Sequence, residues 1–378
     1  MSEVRTSPAA RRRSFAYPIL LSLGALDAAG YSVIGPVAPA ISEATGAGPA
    51  LIGVLVASFP LGIMIGFPLA GRAVRAWGPR VVLASSLGVI AVGTLGFVAG
   101  NGLPAYLASR LLMGIGSGGL WIGIALDTLE RWPGQGYLCM SRILAAYSIG
   151  GLLGPALGAI GGIRGPFAAY VALIFVAIPL VFVMEAPAGQ LELRADRASL
   201  RLPGFRLAAA GILFAVLGLG VAEGVLPLHF ADRLSQVQIG ALFVGTSAAV
   251  AVAATAAARF APRRALAVSL VCVVIGIGVA GASDAAQVWI VSLVVTGVGI
   301  GAGNTGAIGV LLETVSSERI VTAMVVWSQI GIAGYLAGPL AGGALAESLG
   351  FSAVGLVPLA GATVLLMAML RRRGTQSS

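Results

Sequence analysis

The chain has 378 residues; 58% are apolar before its 55 glycines are counted, and only 10% are charged. A soluble domain carries about 25% charged residues, so this sequence cannot cover a globule with a polar skin, and a soluble enzyme, a disordered chain and a coiled coil are excluded. The remaining class is an all-α polytopic membrane protein, with room for twelve helices of about 20 residues joined by short loops.

The first apolar stretch, residues 17–40, follows Arg11, Arg12 and Arg13 and ends in Ala38-Pro39-Ala40, imitating a signal peptide and its cleavage site. It is too long for a signal's apolar region and contains Asp27, Pro36 and Pro39, so it reads as the first transmembrane helix behind a tail of residues 1–16. Hydropathy and helix breakers place the next spans at 49–71, 79–99, 103–127, 140–163 and 166–184. Residues 185–204 are the least apolar interior stretch, with Arg194, Arg197 and Arg201, and read as a linker between two six-helix bundles, 17–184 and 205–370. The second bundle is built from spans at 205–229, 237–258, 265–283, 286–311, 319–346 and 350–370, and residues 371–378 form a tail.

All 23 basic residues are Arg, which points to GC-rich coding and a bacterial source. Twenty of them fall in the tails, the linker and the loops of one side, and only Arg164 and Arg233 lie in loops of the other. The positive-inside rule puts the Arg-rich side, with both termini, in the cytoplasm of a plasma-membrane protein. The net charge of +9 is then a topology signal and not a nucleic-acid surface. Cys139 and Cys272 lack metal-ligand spacing and His229 is the only histidine, so no metal cluster and no His-based catalytic set can be assembled.

The two halves repeat. Trp77-Gly78-Pro79-Arg80 corresponds to Phe260-Ala261-Pro262-Arg263, Gly114-Ile115-Gly116 to Gly297-Val298-Gly299, and Glu130 to Glu313, all at an offset of 183. Gly154-Pro155 corresponds to Gly338-Pro339 at 184. With six spans per half, this offset joins helices of equal orientation and predicts two bundles related by an axis along the membrane normal.

Three charges fall inside spans and away from their ends: Asp27 in span one, Glu223 in its repeat partner, span seven, and Arg110 in span four. An ionised side chain within the bilayer is costly, so it faces a cavity, finds a partner or, for an acid, takes up a proton. Asp27 and Glu223 are therefore candidates for proton or cation binding, against the alternative of neutral acids bonded to a neighbouring helix. Arg110 keeps its charge and needs an anion, carbonyls, a water path, or snorkelling to the interface. Gly150, Gly154, Pro155 and Gly158 in span five, and Gly334, Gly338, Pro339 and Gly342 in span eleven, predict kinked helices in close backbone contact with a neighbour. Two dinucleotide-like fingerprints, Gly114-x-Gly116-x-x-Gly119 and Gly301-x-Gly303-x-x-Gly306, lie in membrane helices and follow no strand, so they read as packing faces. Tyr31, Trp121, Tyr147, Asn304, Trp327 and Gln329 are polar-tipped side chains in these helices and candidate cavity residues.

Together these features resemble the major facilitator superfamily and, within it, the twelve-span drug:proton antiporters and their vesicular monoamine transporter relatives. Leu26-Asp27 followed by Pro36 and Pro39 resembles that branch's first-helix pattern, and Glu223-Gly-Val-Leu-Pro227 its seventh-helix pattern. Arg110-x-x-x-Gly114-x-Gly116 resembles the fourth-helix Arg motif associated with proton coupling, and Gly150–Gly158 the fifth-helix antiporter motif, with Ala159 where a second Gly is common. The loop motif Gly71-Arg-Ala-Val-Arg75-Ala-Trp-Gly78-Pro-Arg80 has Arg75 where the superfamily usually has Asp. The amine-transporting relatives carry acids in helices ten and eleven, where this chain offers Asn304 and the neighbourhood of Ser328.

The resemblance implies a non-enzymatic secondary transporter working by alternating access, most simply by proton-coupled efflux of a small hydrophobic or cationic molecule. Proton-coupled uptake and a non-transporting membrane sensor are the alternatives. The implied partners are the lipid bilayer, a small-molecule substrate and protons. A monomer is expected, with no cofactor other than a proton gradient.

Overall fold

The computed structural model describes residues 8–132, 135–185, 200, 202–316 and 319–370. Most of the linker read at 185–204, and the tail at 371–378, lie outside these described residues.

Span one is a broken helix, α1 (Pro8–Ser32) followed by α2 (Ile34–Thr45). α1 begins at Pro8, ahead of the apolar run from Tyr17, so the stretch read as a tail is partly helical; arginine is a good helix former. The break at Val33 follows from Pro36, which has no N–H to offer the Ser32 carbonyl four residues back. α2 stops at Gly46, whose φ of +67° suits a residue without a Cβ. The first bundle continues with α3 (Pro49–Trp77), α4 (Pro79–Ala99), α5 (Leu103–Arg131), α6 (Gly136–Gly158) and α7 (Arg164–Val183).

The second bundle opens with another broken span, α8 (Pro203–Gly224) and α9 (Leu226–Phe230). Here Pro227 denies a partner to the carbonyl of Glu223. α10 (Gln236–Ala257), α11 (Pro262–Ala282), α12 (Ala286–Thr314), α13 (Ile320–Leu349), and a 3-10 turn (Phe351–Gly355) leading into α14 (Leu356–Leu370) complete it. Among the described residues, eleven spans are long and apolar enough to cross a membrane, and α6 holds the fifth place of the first repeat. Outward-facing side chains such as Val92, Val176, Phe182, Val252 and Val291 are large, apolar and exposed, as lipid-facing helices require.

The repeat is realised helix by helix. α4 and α11, and likewise α5 and α12, have equal lengths and an offset of 183 at both ends. Packing repeats as well: α1 lies on α6 as α8 lies on α13, α3 on α5 as α10 on α12, and α4 on α5 as α11 on α12. The bundles meet through α3 against α13 and α6 against α10, two pairs that the repeat interchanges. The end where α1 starts and α14 stops is here called the tail end, and its opposite the far end. Contacts between bundles gather toward the far end. Ala50 N donates to Glu347 Oε2 (2.8 Å), Gln236 Nε2 donates to the carbonyls of Gly158 (2.7 Å) and Gly162 (3.0 Å), and Ser247 Oγ donates to Gly151 O (3.0 Å).

Candidate functional site

The three intramembrane charges converge beside the interface between the bundles. Arg110 on α5 is fully buried (0% exposed) and points into the bundle, so the snorkelling alternative does not hold. Its Nη1 donates to Gly30 O (2.8 Å) and its Nη2 to Tyr31 O (2.6 Å), both on α1 shortly before the helix break. The guanidinium carbon lies 4.2 Å from the centroid of the Phe59 ring of α3, a cation–π contact in a desolvated setting. Two carbonyls and a ring face thus hold a fully buried cation.

Glu223 on α8 is 4% exposed, and its Oε2 accepts a hydrogen bond from the Tyr335 hydroxyl of α13 at 2.9 Å. Tyr335 crosses to the first bundle, its ring centroid 4.3 Å from that of Tyr31. Tyr31 in turn meets Phe59 edge-on at 5.7 Å. One continuous set of contacts therefore runs from Arg110 through Phe59 and Tyr31 to Tyr335 and Glu223. The two broken spans meet at Gly35 of α2, where a Cβ would lie in ordinary van der Waals contact with the Glu223 carbonyl, at 3.6 Å.

Asp27 on α1 is also 4% exposed, and its Oδ1 has no hydrogen-bond partner among the described residues. The Ser117 hydroxyl of α5 is its polar neighbour and is likewise buried without a partner. Tyr147 of α6 and Tyr170 of α7 stand within electrostatic reach of Asp27, and Tyr147 stacks on Trp121 at 5.5 Å. Arg110 is the cation that both Asp27 and Glu223 sense. Orphaned buried polar atoms are rare in folded proteins and mark a site where a ligand, water or proton completes the pairing. Among the described residues no group of His, Cys, Asp and Glu could hold a metal ion.

A family model described as Major Facilitator Superfamily matches residues 20–228, more than half of the chain. The chain belongs to the Major Facilitator Superfamily. Multidrug resistance protein 2 of Bacillus subtilis (strain 168) is 30% identical over 178 residues, 44% of this chain and 43% of that protein. The synaptic vesicular amine transporter of Homo sapiens is 25% identical over 325 residues, 79% of this chain and 62% of that protein. The chain thus spans less than two thirds of the length of these curated relatives. A solved bacterial homologue of the human lysosomal transporter Spinster, inward-facing and unoccupied, shares the fold with a TM-score of 0.77 at 14% identity, covering 96% of both chains. This is a multi-pass membrane protein with the major facilitator fold.

The superfamily's Gly-Pro segments lie where helices touch. A Cβ on Gly154 would stand 2.6 Å from Ala29 O, and one on Gly158 would stand 2.8 Å from Val33 O, so α6 rides directly on the α1 backbone. Gly150 meets Ala25 in the same way. In the repeat, Gly334 faces Leu213, Gly338 would set a Cβ 2.5 Å from Leu217 O, and Gly342 faces Val225, so α13 rides on α8. Pro155 and Pro339 present their carbonyls to the other bundle, against Gly240 and Gly53. In the loop motif, Arg80 donates to the Phe182 carbonyl and stacks over the Phe182 ring at 5.6 Å, pinning α4 to α7. Arg72 and Arg75 are exposed, Gly71 lies within α3, and Gly78, with φ +81°, ends that helix.

Three of the six cavity candidates, Tyr31, Trp121 and Tyr147, belong to the central cluster. Trp327 instead donates Nε1–H to Ala208 O (3.1 Å) and packs α13 on α8. Asn304 and Gln329 are part-buried on α12 and α13, outside the contacts that define the cluster. Sequence reasoning did not assign Tyr335, Tyr170, Phe59 or Ser117 to the site, although Tyr335 stood inside the span-eleven motif. It also passed over Asp127. That fully buried acid makes a two-bonded ion pair with Arg131 (2.9 and 2.7 Å), which also donates to Glu185 O (2.8 Å) at the tail end of α7. The i, i+4 spacing of Asp127 and Arg131 was its available signal.

Proposed function

We propose that this transporter exports a small hydrophobic or cationic molecule in exchange for protons, by alternating access, with both chain ends in the cytoplasm of a bacterial plasma membrane. The observation that carries this reading is the charge set itself. Two buried carboxyls, one from the first span of each repeat, share a single fixed cation across the bundle interface. Ionised Glu223 attracts Arg110 of the opposite bundle, whereas protonated Glu223 does not, so loading a proton changes the attraction between bundles. A difference of this kind between two conformations shifts their populations. Asp27 lies on the same first-bundle helix whose carbonyls hold Arg110, so its charge adjusts the same balance. A cationic substrate would compete with the proton for these carboxylates, which is the exchange logic of an antiporter. The aromatic faces of Tyr31, Trp121 and Tyr147 would receive its apolar part. The gathering of bundle contacts at the far end favours an arrangement that opens toward the tail end, the cytoplasm in this reading.

The test is gradient-driven uptake by proteoliposomes across a panel of lipophilic cations, amines and sugars. Exchange predicts that a lipophilic cation or amine accumulates when the interior is acid. Accumulation only under an acid exterior would identify symport and overturn the proposal. The double variant Asp27→Asn, Glu223→Gln should lose gradient-driven accumulation and keep downhill exchange. Full gradient-driven transport in that variant would remove the carboxyls from the coupling role.

A further inference from the structure

A cavity of about 470 Å3 lies away from the central cluster, in the tail-end half of the first bundle. Its walls are α3, from Gly66 to Trp77, and α4, from Val82 to Val89, and its floor is α5 at Ile115, Gly116 and Gly119. The sequence explains why it exists. A Cβ on Gly116 would stand 2.8 Å from Ser86 O, so α4 is drawn down onto α5. Gly66 draws α3 onto Ile115 of α5 in the same way. α3 and α4 thus each sit on α5 and splay from one another, and short side chains such as Ala73 and Ala76 leave the gap between them unfilled. Leu69 and Trp77 on its rim are 49% and 66% exposed, so the groove opens on a surface that faces lipid.

We propose that this groove holds one acyl chain of an anionic phospholipid from the tail-end leaflet, with the lipid phosphate held by Arg72 and Arg75. Four features carry it. The lining is apolar, and its Ser85 hydroxyl already donates to Val82 O (3.1 Å), so a hydrocarbon chain leaves that donor satisfied. From Gly66 to Trp77 the groove runs about 16 Å along the helix, close to half of a hydrocarbon core about 30 Å thick. Its mouth is basic: Arg72 lines the groove, Arg75 is exposed one turn further on, and residues 71–80 contain three arginines and no acid. Residues three apart share a helix face, so both guanidinium groups can reach one phosphate. Trp77 stands at the same mouth, the depth at which aromatic side chains anchor to lipid headgroups. Arg75, which occupies the place of the superfamily's usual Asp, thereby becomes part of an anion site. The inference holds for either direction of transport.

The probe is the full chain in phosphatidylcholine bilayers, with Trp77 fluorescence read as the difference between wild type and Trp77→Phe. Phosphatidylglycerol or phosphatidylcholine brominated in the acyl chain is added as the quencher at low ionic strength. Brominated phosphatidylglycerol should quench Trp77 with about fivefold greater apparent affinity than the zwitterionic lipid. Arg72→Gln with Arg75→Gln, two surface changes, should bring the two lipids to within about twofold of each other. Ala73→Phe, which fills the groove and keeps the surface charge, should reduce quenching by phosphatidylglycerol. Equal quenching by the two lipids in wild type would overturn the proposal. So would a preference that survives removal of both arginines, or quenching unaffected by Ala73→Phe, which would assign the lipid to the bare basic surface.

Discussion

Tyr335 and Glu223, 112 residues apart in sequence, meet through a 2.9 Å hydrogen bond from the phenol to the carboxyl, and the same Tyr335 ring lies against Tyr31 of the opposite bundle. The residue that satisfies the second bundle's membrane acid is thus also a point of contact between bundles. Any change in the charge of Glu223 is felt at the interface through it.

This pairing makes a prediction about stability. Tyr335→Phe leaves a buried carboxyl without its donor and should destabilise the protein by about 1–3 kcal/mol, read by thermal unfolding in detergent. In a Glu223→Leu background the same change should cost less than about 0.5 kcal/mol, because both partners are then apolar. Additive losses would show that the bond does not act as a unit.

The repeat-related glycines before the prolines predict a conformational defect. A side chain on Gly154 must displace the Ala29 carbonyl, and one on Gly338 those of Leu217 and its neighbours. Overpacking of this kind costs about 1–3 kcal/mol. Gly154→Leu and Gly338→Leu should reach the membrane in normal amount, since Leu is favourable there, and yet lose transport or leak protons. Wild-type transport without added leak, normalised for membrane abundance, would refute a mechanical role for these contacts.

Closure of the far end depends on small residues facing the other bundle. A Cβ on Gly240 would stand 2.6 Å from the Ala159 Cβ and 2.9 Å from Pro155 O. Gly240→Val should therefore separate the bundles there, again by about 1–3 kcal/mol of disfavoured packing. Spin labels on Asn101→Cys and Asp284→Cys, in a Cys139→Ser, Cys272→Ser background, should show a longer distance in the variant. An unchanged distance distribution would mean that this contact does not hold the far end shut.

The arginine distribution predicts orientation. Single cysteines at Gln190→Cys and Gln376→Cys, in the same cysteine-free background, should resist an impermeant thiol reagent added to intact cells and react after permeabilisation. Labelling of either from outside would invert the topology derived from the positive-inside rule.

Much of the architecture was legible because the bilayer restricts the choices. A chain in lipid must satisfy its backbone internally, so apolar runs of the right length become helices. The offset of 183 read from Gly114 and Glu130 reappears as the exact correspondence of α4 with α11 and α5 with α12. The two breaks in spans one and seven were implicit in Pro36 and Pro227, although only the coordinates showed α2 and α9 as separate segments. The site was legible in its charges, since an acid or arginine inside a span is conspicuous against apolar neighbours. Its aromatic members were not, because aromatic side chains in a membrane helix pack equally well against lipid, a neighbouring helix or a cavity.

By itself the sequence determined the membrane class, the number of spans, the parallel repeat and the identity of the three charges of the central cluster, because each follows from local composition and spacing. Tertiary structure alone decided which side chains meet. Trp327 and Tyr335 stand on one helix, α13, with similar claims to a cavity; one bonds the Ala208 carbonyl and the other reaches Glu223 and Tyr31. The same holds for Arg110, whose partners proved to be the carbonyls of Gly30 and Tyr31 and not a carboxylate. The physical reason is that spans such as α6 and α13 carry little polar contrast around their circumference. Where no hydrophobic stripe marks an inner face, the rotation of the helix is set by the close backbone contacts that glycines such as Gly154 and Gly338 allow.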